Sequence, residues 1–216
     1  MESELGITAS YYFRARRGIF KPEIIEQIAA MGHEIGYHYE DLSQTNGDID
    51  KAYESFTENL EDFRKLYPVK TICMHGSPCS KWDSRDIWKK YDYKELGIIG
   101  EPYFDVDYSK VLYITDTGRK WNNASVSVRD KVEARDQKSE VREQRSEVRG
   151  QRSEDGNDTG KKNLQEFYSF KNTQEIIKAI EKNELPNQIM FNIHPHRWHD
   201  NYQGWSKELF VQNLKN

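Results

Sequence analysis

Six histidines stand in this chain, and all fall in three short stretches: His33 and His38 in GHEIGYHYE, His75 in TICMHGSP, and His194, His196 and His199 in IMFNIHPHRWH. Imidazole can offer a lone pair to a metal or exchange a proton near neutral pH, so histidines confined in this way point to a site. Each stretch follows or closes an apolar, strand-like run, and strand ends are where barrel and open α/β folds place their chemistry. His38 and Glu40 lie two residues apart, on one face of a continuing strand, with Tyr39 opposed. That pair suits a divalent metal or acid–base exchange, although a catalytic zinc usually takes three protein ligands. The plainer alternative has Glu40 or Asp41 only orienting His38. In HPHRWH, His194 and His196 share a face across Pro195, Arg197 suits a carboxylate or phosphate, and Trp198 suits a sugar face. Packing of a histidine on the rim under Trp198 explains the same residues. Ser77, beside His75, lacks the G-x-S-x-G elbow of a serine hydrolase. In TDTGRKW, Asp116 and Arg119 fit a structural pair as well as a functional one.

The elements that must position these residues are readable from their periods. Ile7 to Phe13 reads as a strand. Pro22 opens a helix carrying Ile24, Ile25 and Ile28, which Gly32 closes, and His33 to His38 is the next strand. Apolar residues at 49, 52, 53, 56, 60, 63 and 66 predict an amphipathic helix stopped before Pro68. Val69 to Met74 is a strand with Cys73 as a buried small hydrophobe, and Ser84 to Lys90 is a short helix. Ile98–Ile99, Val111–Thr115 and Gln188–His194 are further strands. Thr173–Lys182, capped by Thr173, and Trp205–Leu214 are helices. Strands alternating with helices argue a parallel α/β architecture, barrel or open sheet.

One segment breaks the rhythm. From Glu133 the chain runs EARDQKS, EVREQRS, EVRGQRS, with Ala134, Val141 and Val148 the single apolar residue of each unit. A coiled-coil seam needs two per heptad, so residues 133–162 are expected to be a solvated, low-complexity insertion, disordered or weakly helical. The domain proper is then 1–132 together with 163–216.

Composition narrows the function further. A formal charge of −4 gives no basic footprint, which argues against nucleic acid as a partner. No run reaches the roughly 18 apolar residues of a membrane span. Cys73 and Cys79 give neither a disulfide framework nor a metal spacing. The first residues lack the apolar core of a secretion signal, so the cytoplasm is the default compartment. Trp82, Trp121 and Trp198 offer rings for stacking on sugars.

GHEIGYH, preceded by ASYYF and the helical PEIIEQIAAMGHE, resembles the polysaccharide deacetylase family, carbohydrate esterase family 4, over residues 5–43. IMFNIHPHRW resembles the late family motif in which a histidine follows an apolar strand. The resemblance implies a distorted (β/α) barrel of the glycoside hydrolase/deacetylase type, here missing its first strand. It implies hydrolysis of carbon–nitrogen bonds such as the N-acetyl groups of sugars, with a carbohydrate or other small amide as substrate. It also implies a divalent metal, commonly zinc, held by an aspartate and two histidines. His38 matches the first metal histidine. Leu42 stands where the second is implied, with Glu40 or Asp41 as the available substitute, and the first-strand aspartates have no counterpart. His194 matches the late general acid, His75 stands where the family has an arginine, and Asp116 loosely matches a later motif. Arg14, Trp82, Arg119, His196, Arg197 and Trp198 are the candidate substrate contacts. The competing expectation is a non-catalytic carbohydrate-binding module, or an inert fragment.

Overall fold

The computed structural model describes residues 2–16, 18–76, 80–116, 121, 164–194, 201–204 and 206–207. They belong to two compact units, Met1–Val106 and Asp107–Asn216. The insertion at 133–162, all of the helix expected over Trp205–Leu214 except the helical Ser206 and Lys207, and Arg119, His196, Arg197 and Trp198 lie outside the described residues, as do Ser77 and Cys79.

In the first unit β1 (Ser10–Phe13), β2 (Glu34–Tyr39) and β3 (Ile72–Met74) form a parallel sheet in the order β1-β2-β3. Parallel neighbours need crossovers. The first is α1 (Pro22–Ala30), whose Pro22 sits where a missing N–H costs nothing, and Gly32 leaves it at φ +86°. The second crossover is α2 (Asp41–Gln44), a single turn, followed by α3 (Ile49–Arg64). Asp48 caps α3 by accepting the Lys51 N–H at 3.1 Å. Ala52, Phe56, Leu60 and Phe63 are the buried stripe of α3.

The two faces of this sheet differ in chemistry. On one, Ile35, Tyr37, Tyr39, Ile72 and Met74 pack with Ile25, Phe56, Leu60 and Phe63 into the main core. The register pairs Tyr12 with Gly36 and His38 with Cys73, so the opposite face carries Ser10, Tyr12 and Arg14; Glu34, Gly36, His38 and Glu40; and Thr71, Cys73 and His75. Cys73 is therefore half-buried among polar neighbours rather than packed in the core, because its strand position, not its hydropathy, sets the face it occupies.

Beyond β3 the strand expected at Ile98–Ile99 shrinks to one bridge, Thr71 to Gly100, with Ile99 N–H on the Lys70 carbonyl at 2.8 Å. Ser84–Lys89 and Tyr93–Leu96 are 3₁₀ helices, and α4 (Pro102–Asp105) is capped by Glu101.

In the second unit β4 (Leu112–Thr115) pairs parallel with β5 (Ile189–Asn192). Leu112, Ile114 and Ile176 are its buried core. Between β4 and β5 in the chain come α5 (Leu164–Phe167) and α6 (Thr173–Glu181). The cap of α6 is Asn172, which accepts the Glu175 N–H at 3.1 Å, and not Thr173 as expected. An amide oxygen one residue earlier reaches the third helical N–H, while the Thr173 hydroxyl accepts from Trp121 Nε1 at 3.0 Å.

Candidate functional site

The C-terminal ends of three parallel strands bring together four of the singled-out residues. Arg14 follows β1, Glu40 follows β2, His75 follows β3, and His38 lies on the same polar face within β2. Arg14 grips Glu40 in a fork, with Nη2 donating to both carboxylate oxygens at 2.6 Å and Nε to Oε1 at 3.0 Å. Gln44 Nε2 adds a donor to Oε1 at 3.3 Å, and Arg16 Nε stands 3.7 Å from Oε1. His75 Nδ1 lies 3.2 Å from Oε2, an ion-pair distance without an aligned hydrogen bond. Glu40 is 6% exposed. Burial pushes its carboxyl up, but His75 and Arg14 together more than reverse this and hold it at about 2.

His38 is set differently. Its Nδ1 lies 2.8 Å from the Cys73 carbonyl, an acceptor only, so Nδ1 carries the proton and Nε2 the lone pair. Burial, with the neighbouring His75, lowers its pKa to about 4, keeping the ring neutral at ordinary pH. The His38 and His75 rings meet edge to face, 5.0 Å between centroids.

A divalent metal does not fit this donor set. His38 has the backbone-tethered tautomer that metal-binding histidines use. Glu40, however, has its oxygens taken by Arg14, and Leu42, where a second histidine is implied, is buried against Ala52 and Ile87. Two unit charges 4 Å apart in a partly buried site repel by ~4 kcal/mol, and a divalent ion doubles that against the guanidinium. Among the described residues no group of three His, Cys, Asp or Glu side chains is placed to hold a metal.

Trp82, a candidate sugar platform, lies against Gly47 with Lys81 Nζ 4.8 Å from its ring centroid. Two buried carboxylates serve the fold: Asp41, expected to orient His38 or to stand in as a metal ligand, is bonded to β2 and α3 instead, and Glu101 carried no expectation. Asp41 accepts from Tyr37 Oη at 2.7 Å, Ser55 Oγ at 2.8 Å and Asn59 Nδ2 at 2.9 Å, tying β2 to α3. Glu101 accepts from the Met74 N–H at 3.0 Å and the Tyr103 N–H at 2.5 Å, joining the end of β3 to α4. Nothing in a string rich in Asp and Glu marks which of them fold inward; α-helical spacing of Ser55 and Asn59 was the available hint for Asp41.

In the second unit, Asp116 follows β4 and His194 follows β5. Asp116 Oδ1 lies 2.6 Å from His194 Nδ1, and Oδ2 accepts the His194 backbone N–H at 2.9 Å. The parallel register Thr115 to Asn192 sets this spacing. A carboxylate acceptor on Nδ1 fixes the ring's tautomer and orientation, so Nε2 is the nitrogen that would give or take a proton. The structure thus joins Asp116 to His194 and His38 to Glu40 and His75. Compared with known proteins, the chain matches no family model, no curated protein and no solved structure.

Proposed function

We propose that this chain is a polysaccharide deacetylase-like hydrolase domain acting on non-peptide carbon–nitrogen bonds, such as the N-acetyl groups of sugars. The observation that carries the reading is the Asp116–His194 dyad at the ends of adjacent parallel strands. A carboxylate-oriented imidazole is the group such a reaction needs to protonate a departing amine, and general acid catalysis of this kind contributes typically 10²–10⁴-fold in rate. Parallel strands with chemistry at their C-terminal ends support the distorted (β/α) barrel that belongs to the same reading. The substrate under this reading is a carbohydrate or another small amide.

The direct test is acetate release from N-acetylated chito-oligosaccharides by the wild-type chain, His194→Ala and Asp116→Asn. The expected result is loss of about 10²–10⁴-fold in rate for His194→Ala, and a loss of comparable order for Asp116→Asn, whose amide no longer holds the proton on Nδ1. The melting temperature of His194→Ala should stay close to wild type. An unchanged rate in His194→Ala overturns the assignment. A second reading, a carbohydrate-binding module without catalysis, is favoured by the Arg14–Glu40 fork, which occupies the carboxylate that water activation by a metal would use. Binding of the same oligosaccharides with no acetate release decides for it.

A further inference from the structure

We propose that Asn192 selects amides over esters beside the Asp116–His194 pair, its Oδ1 accepting the N–H of the acyl-amino group; the ligand class rests on the hydrolase reading above. Asparagine is depleted in strands, where its side chain competes for backbone hydrogen bonds, so one that closes β5 needs a reason. The twofold period puts it on the face of Tyr113, Thr115 and Met190, opposite the apolar Leu112, Ile114 and Ile189. On that face Asn192 Nδ2 donates to Tyr113 Oη at 2.7 Å. The Tyr113 ring is backed edge-on by Tyr108, 5.7 Å between centroids, whose own hydroxyl reaches Met190 Sδ at 3.8 Å. A carboxamide tied by its nitrogen has its oxygen left as the acceptor, and among the described residues no donor reaches Asn192 Oδ1. Its distance from the chemistry is set by the chain. Asn192 stands two residues before His194, about 7 Å between Cα atoms in an extended strand. Its carbonyl accepts the Asp116 N–H at 3.3 Å. One step on, where a parallel ladder leads the His194 N–H toward the Asp116 carbonyl, the Asp116 side chain accepts it at 2.9 Å. The backbone ladder therefore passes into side-chain chemistry directly after Asn192. A general acid at His194 must reach the leaving nitrogen. That nitrogen carries a hydrogen in an amide and has none to offer as an ester oxygen, and an acceptor two residues from the acid is placed to claim it. A half-buried acceptor left unpaired by a ligand lacking the donor is a source of discrimination.

The test measures, by calorimetry, the affinity of the full chain for two probes. One is an N-acetylated chito-oligosaccharide; the other is the cello-oligosaccharide of equal length O-acetylated at the same ring position, with oxygen in place of N–H. His194→Ala serves as the background, so that neither probe is turned over. The amide should bind about 3- to 10-fold tighter than the ester, the worth of one neutral hydrogen bond. Asn192→Leu should bring the two affinities together. Tyr113→Phe, which frees the carboxamide, should narrow the gap. A purely structural Asn192 would change stability and leave the gap alone. Equal affinities in the chain that retains Asn192 overturn the inference, as does binding of neither probe, or a gap that persists in a folded Asn192→Leu. Circular dichroism reports folding. Should Asn192→Leu not fold, Tyr113→Phe decides: a narrowed gap upholds the inference and an undiminished one defeats it. Acetate release by the wild-type chain is read separately. An amide preference that Asn192→Leu abolishes upholds the role of Asn192 even where no acetate appears, and acetate release without that preference removes Asn192 alone.

Discussion

Glu101 and His38 are both driven toward their neutral forms by burial, and they bend the pH dependence of stability in opposite directions. Glu101 is raised from 4.5 to about 7, chiefly by burial. Its folded form holds a proton that the unfolded chain releases, so its contribution is complete below about pH 4.5 and is lost as pH rises through about 7. His38 is lowered from 6.5 to about 4, so its contribution is present above 6.5 and is lost as pH falls through about 4. At 1.36 kcal/mol per pKa unit, each displacement is worth on the order of 3 kcal/mol. Glu101→Gln removes the first of these terms. Denaturant titrations from acid to mildly basic pH should show its wild-type decline between about 4.5 and 7 flattened in the variant, at the cost of one backbone acceptor. A wild-type decline that survives the substitution would assign it to another group. Glu40 acts in a lower window: held at about 2 against 4.5, it stabilises above 4.5, and the benefit fades toward pH 2.

At the scale of elements, the sheet is specified by which side chains alternate onto which face. Gly36 shows how closely. Its strand is extended, so no φ constraint applies; the constraint is space. A methyl there would come within 2.4 Å of the Tyr12 ring and 3.0 Å of the Thr71 carbonyl. Gly36→Ala should cost about 1–3 kcal/mol as overpacking. Adding Tyr12→Ala should recover part of that loss, a coupling measurable in a double-mutant cycle by chemical denaturation. Additive losses would mean the backbone, not the ring, resists the methyl. The same alternation explains what the sequence could show. The α3 stripe at Ala52, Phe56, Leu60 and Phe63 repeats over several turns, and the His38–Glu40 spacing gives a common face without further information. The fork between Arg14 and Glu40 spans 26 residues, and RARR offers three equivalent arginines, so its choice of partner depends on the β1–β2 register. Single-turn elements such as α2 and α4 are shorter than the period that would reveal them. The Asp116–His194 pair spans 78 residues, and each member was legible only as a candidate in its own motif.

For the molecule as a whole, coverage of the sheets decides how the chain behaves in solution. Parallel sheets are normally covered on both faces, because their crossovers carry helices and their strands expose backbone groups at any open edge. In the first unit α1 and α3 cover one face, and among the described residues β1 pairs only with β2. Apolar side chains cluster in sequence around that strand: Ile7 is 51% exposed, Ile24 41% and Met31 49%. An edge strand flanked by uncovered isoleucines invites pairing with another chain unless charge or proline blocks it. Arg14 and Arg16 sit at its C-terminal end, but Ser10 to Phe13 carry no charge and no proline. The chain should therefore self-associate as concentration rises, visible as an increasing sedimentation coefficient. Ile7→Lys should shift the distribution toward monomer, because a lysine beside an edge must desolvate before a second strand can dock. A surface change of this kind moves stability by only about 0.5 kcal/mol, so the melting temperature serves as the control. A sedimentation coefficient that is flat with concentration in the wild-type chain would show that the edge is already satisfied.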